Sequence, residues 1–270
     1  MKMTGRHFPH SCAESKRTMR RSHHVRSQQG ISDTLPAPAH TTYMQRAPEH
    51  LRFAVLAADV ALFTIRDKKL YVRLMRVNRP PHFPNTSGLP GGLIREDETA
   101  EMAATRILAE RGHIDASKVY IEQLATFSEV TRDPRSRVVA VAYLALVPWE
   151  TLSSIEQSDS EEAFWQLVER APKLAYDHDH VLRNAHERLR SRISYSTLIC
   201  KIVPKEFTLS ELQAAYESLR GEFLDKRNFR KKMDMLDVLT PLKKKRTGVR
   251  ARPALLYRFT SPKVLITPQL

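Results

Sequence analysis

Cysteine is scarce in this chain of 270 residues, which has only Cys12 and Cys200. The two lie far apart in sequence, and no cluster of cysteine and histidine has zinc-site spacing, so neither a disulfide framework nor a structural zinc site is predicted. A reducing cytosol is the default compartment for this composition. The longest apolar run, Val138–Trp149, is shorter than the roughly 20 residues that a membrane-spanning helix needs. The sequence therefore predicts no membrane protein.

Acidic residues are also few relative to basic ones. Lysine and arginine total 44 against 30 aspartates and glutamates, a formal net charge of +14. Such an excess favours a polyanionic partner, a nucleic acid or an anionic membrane surface. The length leaves room for two modest domains, each with its own core.

Residues 1–45 form a basic leader that we predict to be disordered. Up to residue 43 it has few aliphatic residues, and its acids are Glu14 and Asp33. Such a segment cannot bury enough apolar surface to offset its ordering entropy. Two alternatives remain open. The composition also permits a transit peptide, and Met44 could be the true start.

Residues 46–193 read as a domain that mixes strands and helices. Apolar and β-branched runs predict strands, with Arg66–Lys69 as a hairpin turn, and helical spacing predicts the helices. The predicted strands are Phe53–Ile65, Leu70–Val77, Val119–Phe127 and Arg137–Val147, and the predicted helices are Thr99–Arg111, Glu161–Arg170 and Asp177–Ile193. This composition fits an α/β/α sandwich.

Residues 88–114 resemble a Nudix box, a loop–helix–loop motif whose glutamates hold Mg²⁺ against a diphosphate. Six positions match its pattern: Gly92, Glu98, Arg106, Leu108, Glu110 and Ile114. Ile107 and Arg111 stand where two metal-binding glutamates are expected. Because a hard cation needs several oxygen ligands, we predict an impaired hydrolase with no catalytic residue and no required metal or cofactor. Glu110 beside a guanidinium is predicted to form an ion pair instead.

A Nudix pocket without its metal can still bind a diphosphate if arginines supply the positive charge. The predicted ligand-binding residues are Arg76, Arg79, Arg111, Arg132, Arg135 and Arg137. His178 and His180 could be interpreted as metal ligands, but at this spacing they do not share a helix face. Helix capping is the preferred interpretation of both.

Residues 194–265 predict a winged helix. Thr208 and Glu211 form a capping box, Gly221 ends that helix, and Asp225 precedes a second helix, Lys226–Leu236. Leu239–Leu242 and Ala254–Phe259 are predicted strands that flank a wing, Lys243–Pro253.

The segment 226–258 carries twelve lysines and arginines against two aspartates. A basic helix N-terminus suits the major groove, and wing bases suit phosphate or minor-groove contacts. The predicted DNA-binding residues are Lys226, Arg227, Asn228, Arg230, Lys231, Lys243, Lys244, Lys245, Arg246, Arg250 and Arg252.

Taken together, the two regions resemble the Nudix-related transcriptional regulators of bacterial NAD metabolism, the NrtR type. The resemblance spans roughly residues 50–260 and rests on the degenerate box, on 120–138, and on 207–213 with 224–230. It implies a cytoplasmic homodimer with sensor and winged-helix domains. It also implies an operator near NAD synthesis or salvage genes, and ADP-ribose or a related nucleotide as effector. Two alternatives remain, a metal-dependent Nudix hydrolase of ADP-ribose or another nucleoside diphosphate derivative, and an RNA-associated Nudix protein.

Overall fold

A mixed sheet forms the framework of the larger region in the computed structural model, which describes residues 53–246 and 253–268. Its strands are β1 (Val55–Arg66), β2 (Lys69–Arg79), β3 (Phe83–Gly88), β4 (Gly91–Leu93), β5 (Tyr120–Phe127), β6 (Val138–Leu146) and β7 (Ala163–Leu167). The main path of the sheet is β3-β2-β1-β6-β5, with β4 paired to β1 and β7 paired to β2. β1 and β6 run parallel, and the other pairs are antiparallel.

Helices cover both faces of this sheet. They are α1 (Ala100–Glu110), the short α2 (Ser154–Gln157) and α3 (His178–Ser194). Alternate residues of β1 point to opposite faces. Val60 and Leu62 pack with Leu108 of α1, while Ala61 and Phe63 pack in the core that includes residues of α3. The predicted α/β/α sandwich is confirmed.

The hairpin between β1 and β2 turns at Asp67 and Lys68. Both have positive φ, 50° and 61°. Positive φ at both central residues is the geometry of a type I′ turn, which matches the right-handed twist of the flanking strands. The predicted turn at Arg66–Lys69 is confirmed.

The predicted helix at Glu161–Arg170 is wrong. Ala163–Leu167 is strand β7, and Val168–Arg170 is a single 3₁₀ turn. Ala163 and Trp165 are buried at a spacing of two, and the strand pairs with β2. The Ser160 hydroxyl accepts a hydrogen bond from Ala163 N–H, an interaction that favours turns over helix interiors. Pairing with β2 thus outweighs the weak helical pattern.

The C-terminal region has the predicted order of a winged helix. Its elements are β8 (Phe207–Thr208), α4 (Leu209–Arg220), α5 (Lys226–Leu236), β9 (Leu239–Arg246) and β10 (Ala254–Phe259), with sheet order β8-β10-β9. Thr208 and Glu211 form the predicted capping box, and Gly221 ends α4 with φ 71°. Strand β9 is longer than predicted because its backbone pairs with β10 as far as Arg246. Residues 243–246, predicted as part of the wing, therefore lie in a strand.

The two regions share one hydrophobic core. Leu189 and Ile193 of α3 belong to the same buried cluster as Ile199, Phe207 and Leu219 of the winged helix. The winged helix is thereby packed against the sandwich on α3. Among the described residues, no helix has the length and apolarity required to span a membrane.

Candidate functional site

A cleft of ≈ 730 Å³ opens beside the box glycines, where β1, β2 and β4 meet the loop 128–137. Gly91 lies so close to Asp59 of β1 that a β-carbon there would collide with the carboxylate. Gly91 and Gly92 do not have positive φ. The role of Gly91 is therefore to let the backbone approach Asp59 closely.

Five of the six predicted ligand-binding arginines line this cleft. They are Arg76, Arg79, Arg111, Arg132 and Arg135. The sixth, Arg137, is not among the lining residues and donates to the carbonyls of Ser128 and Glu129, which fastens the loop 128–137. The cleft is thus cationic, with Asp59 and Asp133 as its lining carboxylates.

Arg132 is at the centre of a buried ion network on the cleft floor. Its Nη2 donates to Asp59 Oδ2 at 2.9 Å and to Asp177 Oδ1 at 2.6 Å, and its Nε donates to Asp177 Oδ2 at 3.0 Å. Its side chain is 4% exposed. Burial raises the pKa of Asp59, but His178 and Arg132 more than offset this and hold that pKa below its ordinary value. The network keeps Asp59 ionised and Arg132 fixed.

His178 belongs to this network and does not cap its helix. Asp177 occupies the N-cap position of α3 without a side-chain capping bond. The Nδ1 atom of His178 accepts from Leu89 N–H at 2.9 Å, and Nε2 lies 3.4 Å from Asp59 Oδ1. The neutral ring therefore carries its proton on Nε2. His180 packs edge-on against Phe127. The capping interpretation of both histidines is wrong, because the His178 ring is bonded to Leu89 N–H and lies against Asp59, while the His180 ring packs on Phe127.

The opposite wall contains a stack of aromatic and cationic groups. Arg135 makes a double hydrogen bond to Asp133, at 2.9 and 2.7 Å, and lies 5.1 Å above the Tyr176 ring centre. Tyr176 packs on Phe83 with ring centres 4.4 Å apart. Tyr176 has φ 58°, a conformation that costs energy for a residue with a side chain and is found at binding sites. Arg76 is held in turn over the Phe164 ring.

The two glutamates kept from the box face arginines rather than the cleft. Arg106 Nε donates to Glu98 at 2.9 Å and its Nη1 to Glu110 at 3.0 Å, as the predicted ion pair requires, although the partner is Arg106 and not Arg111. The hydrogen bond from Arg106 lowers the pKa of Glu98 to about 2. Ile107 is buried against Gly92. In the described part of the chain no three His, Cys, Asp or Glu side chains are grouped as metal ligands.

A second candidate site is the outer face of α5. Phe229 and Met233 are buried, and Phe229 packs on Tyr216 with ring centres 5.6 Å apart. Asp225 caps the helix by accepting from Asn228 N–H. These contacts turn the predicted DNA-binding residues of the helix outward, and all five are exposed, namely Lys226, Arg227, Asn228, Arg230 and Lys231.

The predicted wing bases divide into two groups. Lys243 and Lys245 are exposed on β9, whereas Lys244 lies 3.2 Å from Glu206 and Arg246 lies 2.9 Å from Glu211. Arg246 therefore fastens β9 to the start of α4. Arg250 and Arg252 lie outside the described residues, as does the leader 1–45.

Sequence reasoning missed Asp59 and Tyr176, which line the cleft, and Asp177, which holds the cleft residue Arg132. Asp59 had a visible signal, since it is a lone acid inside the apolar run Phe53–Ile65. Tyr176 and Asp177 had none, because their roles come from contacts with residues far away in the chain.

Comparison with known proteins agrees with this architecture. Residues 55–185 match the NUDIX domain model, and residues 199–259 match the model of the NrtR DNA-binding winged helix domain. The ADPR responsive transcriptional repressor NtrR of Acinetobacter baylyi is 34% identical over 211 residues, which are 76% of this chain and 82% of that protein. An ADP-ribose pyrophosphatase of Methanocaldococcus jannaschii is 32% identical over 120 residues, 44% of this chain and 66% of that enzyme.

The fold also matches a solved structure over both regions. The crystal structure of Shewanella oneidensis NrtR complexed with a 27mer DNA superimposes with a TM-score of 0.66 at 36% identity, covering 76% of this chain and 93% of that chain. The chain has a Nudix domain followed by this type of winged helix, and it matches a relative over most of that relative's length. It therefore belongs to the NrtR family of regulators.

Proposed function

We propose that this protein is a DNA-binding transcriptional repressor whose cleft binds ADP-ribose or a related NAD-derived nucleotide. The single observation that carries the proposal is the pairing, in one chain, of an arginine-lined Nudix cleft with an exposed basic face on α5. The repressor of Acinetobacter baylyi, which is ADPR responsive, and the DNA complex of the Shewanella protein support it.

The cleft suits a nucleotide diphosphate in size and charge. Its ≈ 730 Å³ lies within the range of about 300–1,000 Å³ that small-molecule sites occupy. Guanidinium groups bind phosphate oxygens through paired hydrogen bonds. Arg76, Arg79 and Arg111 line the cleft without a hydrogen bond to a carboxylate among the described residues, and they are the first candidates for the phosphates.

Binding without efficient cleavage is the expected outcome in this cleft. Glu98 and Glu110 are bonded to Arg106, and neither is among the residues that line the cleft. Asp59 and Asp133 line it, but each is bonded to an arginine. A divalent cation would have to compete with these guanidinium groups for every carboxylate.

The proposed operator contact uses α5 in the major groove and the wing bases on phosphates. Phosphate contacts give sequence-independent affinity, and contacts to base edges give specificity. A homodimer would present two such helices to half-sites about one helical turn apart. We propose NAD synthesis or salvage genes as the targets, with the protein acting in the bacterial cytoplasm.

The decisive experiment is a titration of purified full-length protein against promoter fragments of the NAD genes of the same genome. We expect preference for one promoter over scrambled duplex, and a changed affinity when ADP-ribose or NAD is added. An equal affinity for every duplex would overturn the proposal of sequence-specific operator binding. An unchanged affinity with both nucleotides would overturn the sensor, and tighter binding to RNA would favour the RNA-associated alternative.

A second candidate function is metal-dependent hydrolysis, favoured by the likeness to the Methanocaldococcus jannaschii ADP-ribose pyrophosphatase. The test is turnover of ADP-ribose by the unmodified protein with Mg²⁺. A rate near 10 s⁻¹, about the median for enzymes, would support it. Replacing Ile107 and Arg111 by glutamate is less informative, because Ile107 is fully buried and a carboxylate there would be desolvated.

A further inference from the structure

Helix α3 joins the cleft floor to the winged helix. It has 17 residues, which corresponds to a length of about 25 Å. Its first residue, His178, lines the cleft, and its later residues Leu189 and Ile193 are buried in the core shared with the winged helix. A displacement at the start of α3 would therefore be carried to α4 by a rigid element.

The start of α3 is held by the cleft and not by a conventional cap. Asp177 occupies the N-cap position, yet its carboxylate makes no capping bond and accepts two hydrogen bonds from Arg132 instead. An aspartate at this position normally caps the helix. Here the capping role is given up for a contact with a cleft residue.

The far end of α3 is fastened to the winged helix by a second arginine. Arg190 Nη2 donates to the backbone carbonyl of Arg220 at 2.6 Å. Arg220 is the last residue of α4, so this bond satisfies a carbonyl that the helix leaves unpaired. Arg192 lies 3.5 Å from Glu122 on β5, which fixes the same end of α3 to the sheet.

Arg132 has a donor left for a ligand. Its Nε and Nη2 are used by Asp59 and Asp177, and no hydrogen bond from Nη1 is formed with the described residues. A phosphate in the cleft that binds Nη1 would draw the Arg132 guanidinium away from its two hydrogen bonds to Asp177. Because Arg132 is buried and Asp177 is partly buried, water screens the attraction between them only weakly.

We propose that Asp177 is the positioning residue through which an anionic ligand in the cleft acts on α3 and so on the DNA-binding helix. The inference rests on the proposed function and names the contact that transmits it. A ligand that draws Arg132 away from Asp177 loosens the first turn of α3. The bond between Arg190 and Arg220 then passes the change to α4, and the packing of Tyr216 on Phe229 passes it to α5. The ligand shifts DNA affinity only by its differential binding to the two arrangements.

The test measures DNA affinity with and without saturating ADP-ribose in the wild type, Asp177→Asn and a control. In the wild type we expect a change of about 5- to 150-fold, the usual range of coupling between sites. Asp177→Asn is expected to bind ADP-ribose by calorimetry but to change its DNA affinity less than about 2-fold, below that range. Asp177→Glu, which keeps the charge, is expected to restore part of the response.

Asp179→Asn is the matched control. Asp179 lies in the same helical turn, accepts from Leu174 N–H and is not among the residues that line the cleft. Because asparagine can accept the same hydrogen bond, this variant should respond to ADP-ribose as the wild type does. A full response by Asp177→Asn would overturn the inference and leave the proposed function intact. No response by the wild type would overturn both.

A measurement on the wild type alone provides a second test that does not depend on variant folding. Amide hydrogen exchange at residues 178–182 should change when ADP-ribose binds, because these amides belong to the first turn of α3. Unchanged exchange there, together with changed DNA affinity, would show that the signal takes another route.

Discussion

Arginines serve both regions of this molecule, but in opposite surroundings. In the cleft, Arg132 and Arg135 are fixed by hydrogen bonds to aspartates. On α5, Arg227 and Arg230 are exposed, and no salt bridge to them occurs among the described residues. Fixed cations select an anion by geometry, whereas mobile cations suit a long row of phosphates. Residue type alone therefore does not distinguish a sensor from a nucleic-acid surface.

The largest expected effect comes from removing a fixed cation. Arg132→Ala would leave the buried Asp59 and the partly buried Asp177 without this guanidinium, at a cost of about 3–5 kcal/mol in the free energy of unfolding. Denaturant unfolding measures this. The matched change on α5, Arg230→Ala, should stay within about 0.5 kcal/mol, as exposed substitutions do. Equal losses of unfolding free energy in the two variants would contradict the distinction between fixed arginines in the cleft and exposed arginines on α5.

For DNA affinity the expected order is reversed, and substitutions on α5 should have the larger effect. The triple substitution of Arg227, Arg230 and Lys231 by alanine should make the plot of log affinity against log salt less steep. The expected decrease in steepness is about 0.9 per lost phosphate contact. Filter binding from 50 to 200 mM salt (about a fourfold range, ample for a log–log slope) measures it. Calorimetric ADP-ribose affinity should be unchanged, since none of the three lines the cleft. An unaltered salt slope would move the DNA contact away from α5.

Acid should weaken the sandwich through its paired carboxylates. Hydrogen bonding with Arg106 lowers the pKa of Glu98 to about 2, and for Glu156, where burial raises the pKa, Lys118 and backbone hydrogen bonds lower it to about 2. A lowered folded-state pKa stabilises the protein above the unfolded value of 4.5, and this stability is lost as pH falls toward 2.

Glu156→Gln should flatten that acid dependence. Thermal unfolding between pH 5 and pH 2.5, roughly the window in which the lowered carboxylates take up protons, compares the variant with the wild type. A variant with the same pH slope as the wild type would mean that Glu156 does not contribute its ionised contacts to stability.

The sequence predicted those elements in which local pattern and packing agree. The capping box of α4 and the end of α4 at Gly221 depend on neighbouring residues, and both occur where predicted. The helix prediction for 161–170 was wrong because a short run with two buried residues fits either a strand or a helix. Its pairing with β2 decides in favour of the strand. Local periodicity carries no information on such pairing.

The candidate site was predictable in composition but not in contacts. The cleft arginines could be named because a diphosphate requires cations. Arg135 is bonded to its near neighbour Asp133, but the two partners of Arg132, Asp59 and Asp177, come from distant parts of the chain. Asp59 and Asp177 meet at Arg132 only because β1 lies beside the start of α3. Long-range electrostatic pairing of this kind is a result of the fold and has no local signature.

The smallest expected effect lies on strand β9, where an ion pair partly neutralises one base. Lys244 is paired with Glu206, and both side chains are largely exposed, at 68% and 44%. An exposed pair contributes only about 0–1 kcal/mol, so Glu206→Gln should leave stability nearly unchanged while freeing Lys244 for phosphate. DNA affinity should rise by up to several-fold, about the equivalent of that energy. Lys245→Ala removes a base that has no ion pair among the described residues, and it should lower DNA affinity. Glu161→Gln, an exposed acid in the sandwich, controls for net charge. If Glu161→Gln raised DNA affinity as much as Glu206→Gln, the gain would come from overall charge. Lys244 would then not be assigned to a phosphate contact.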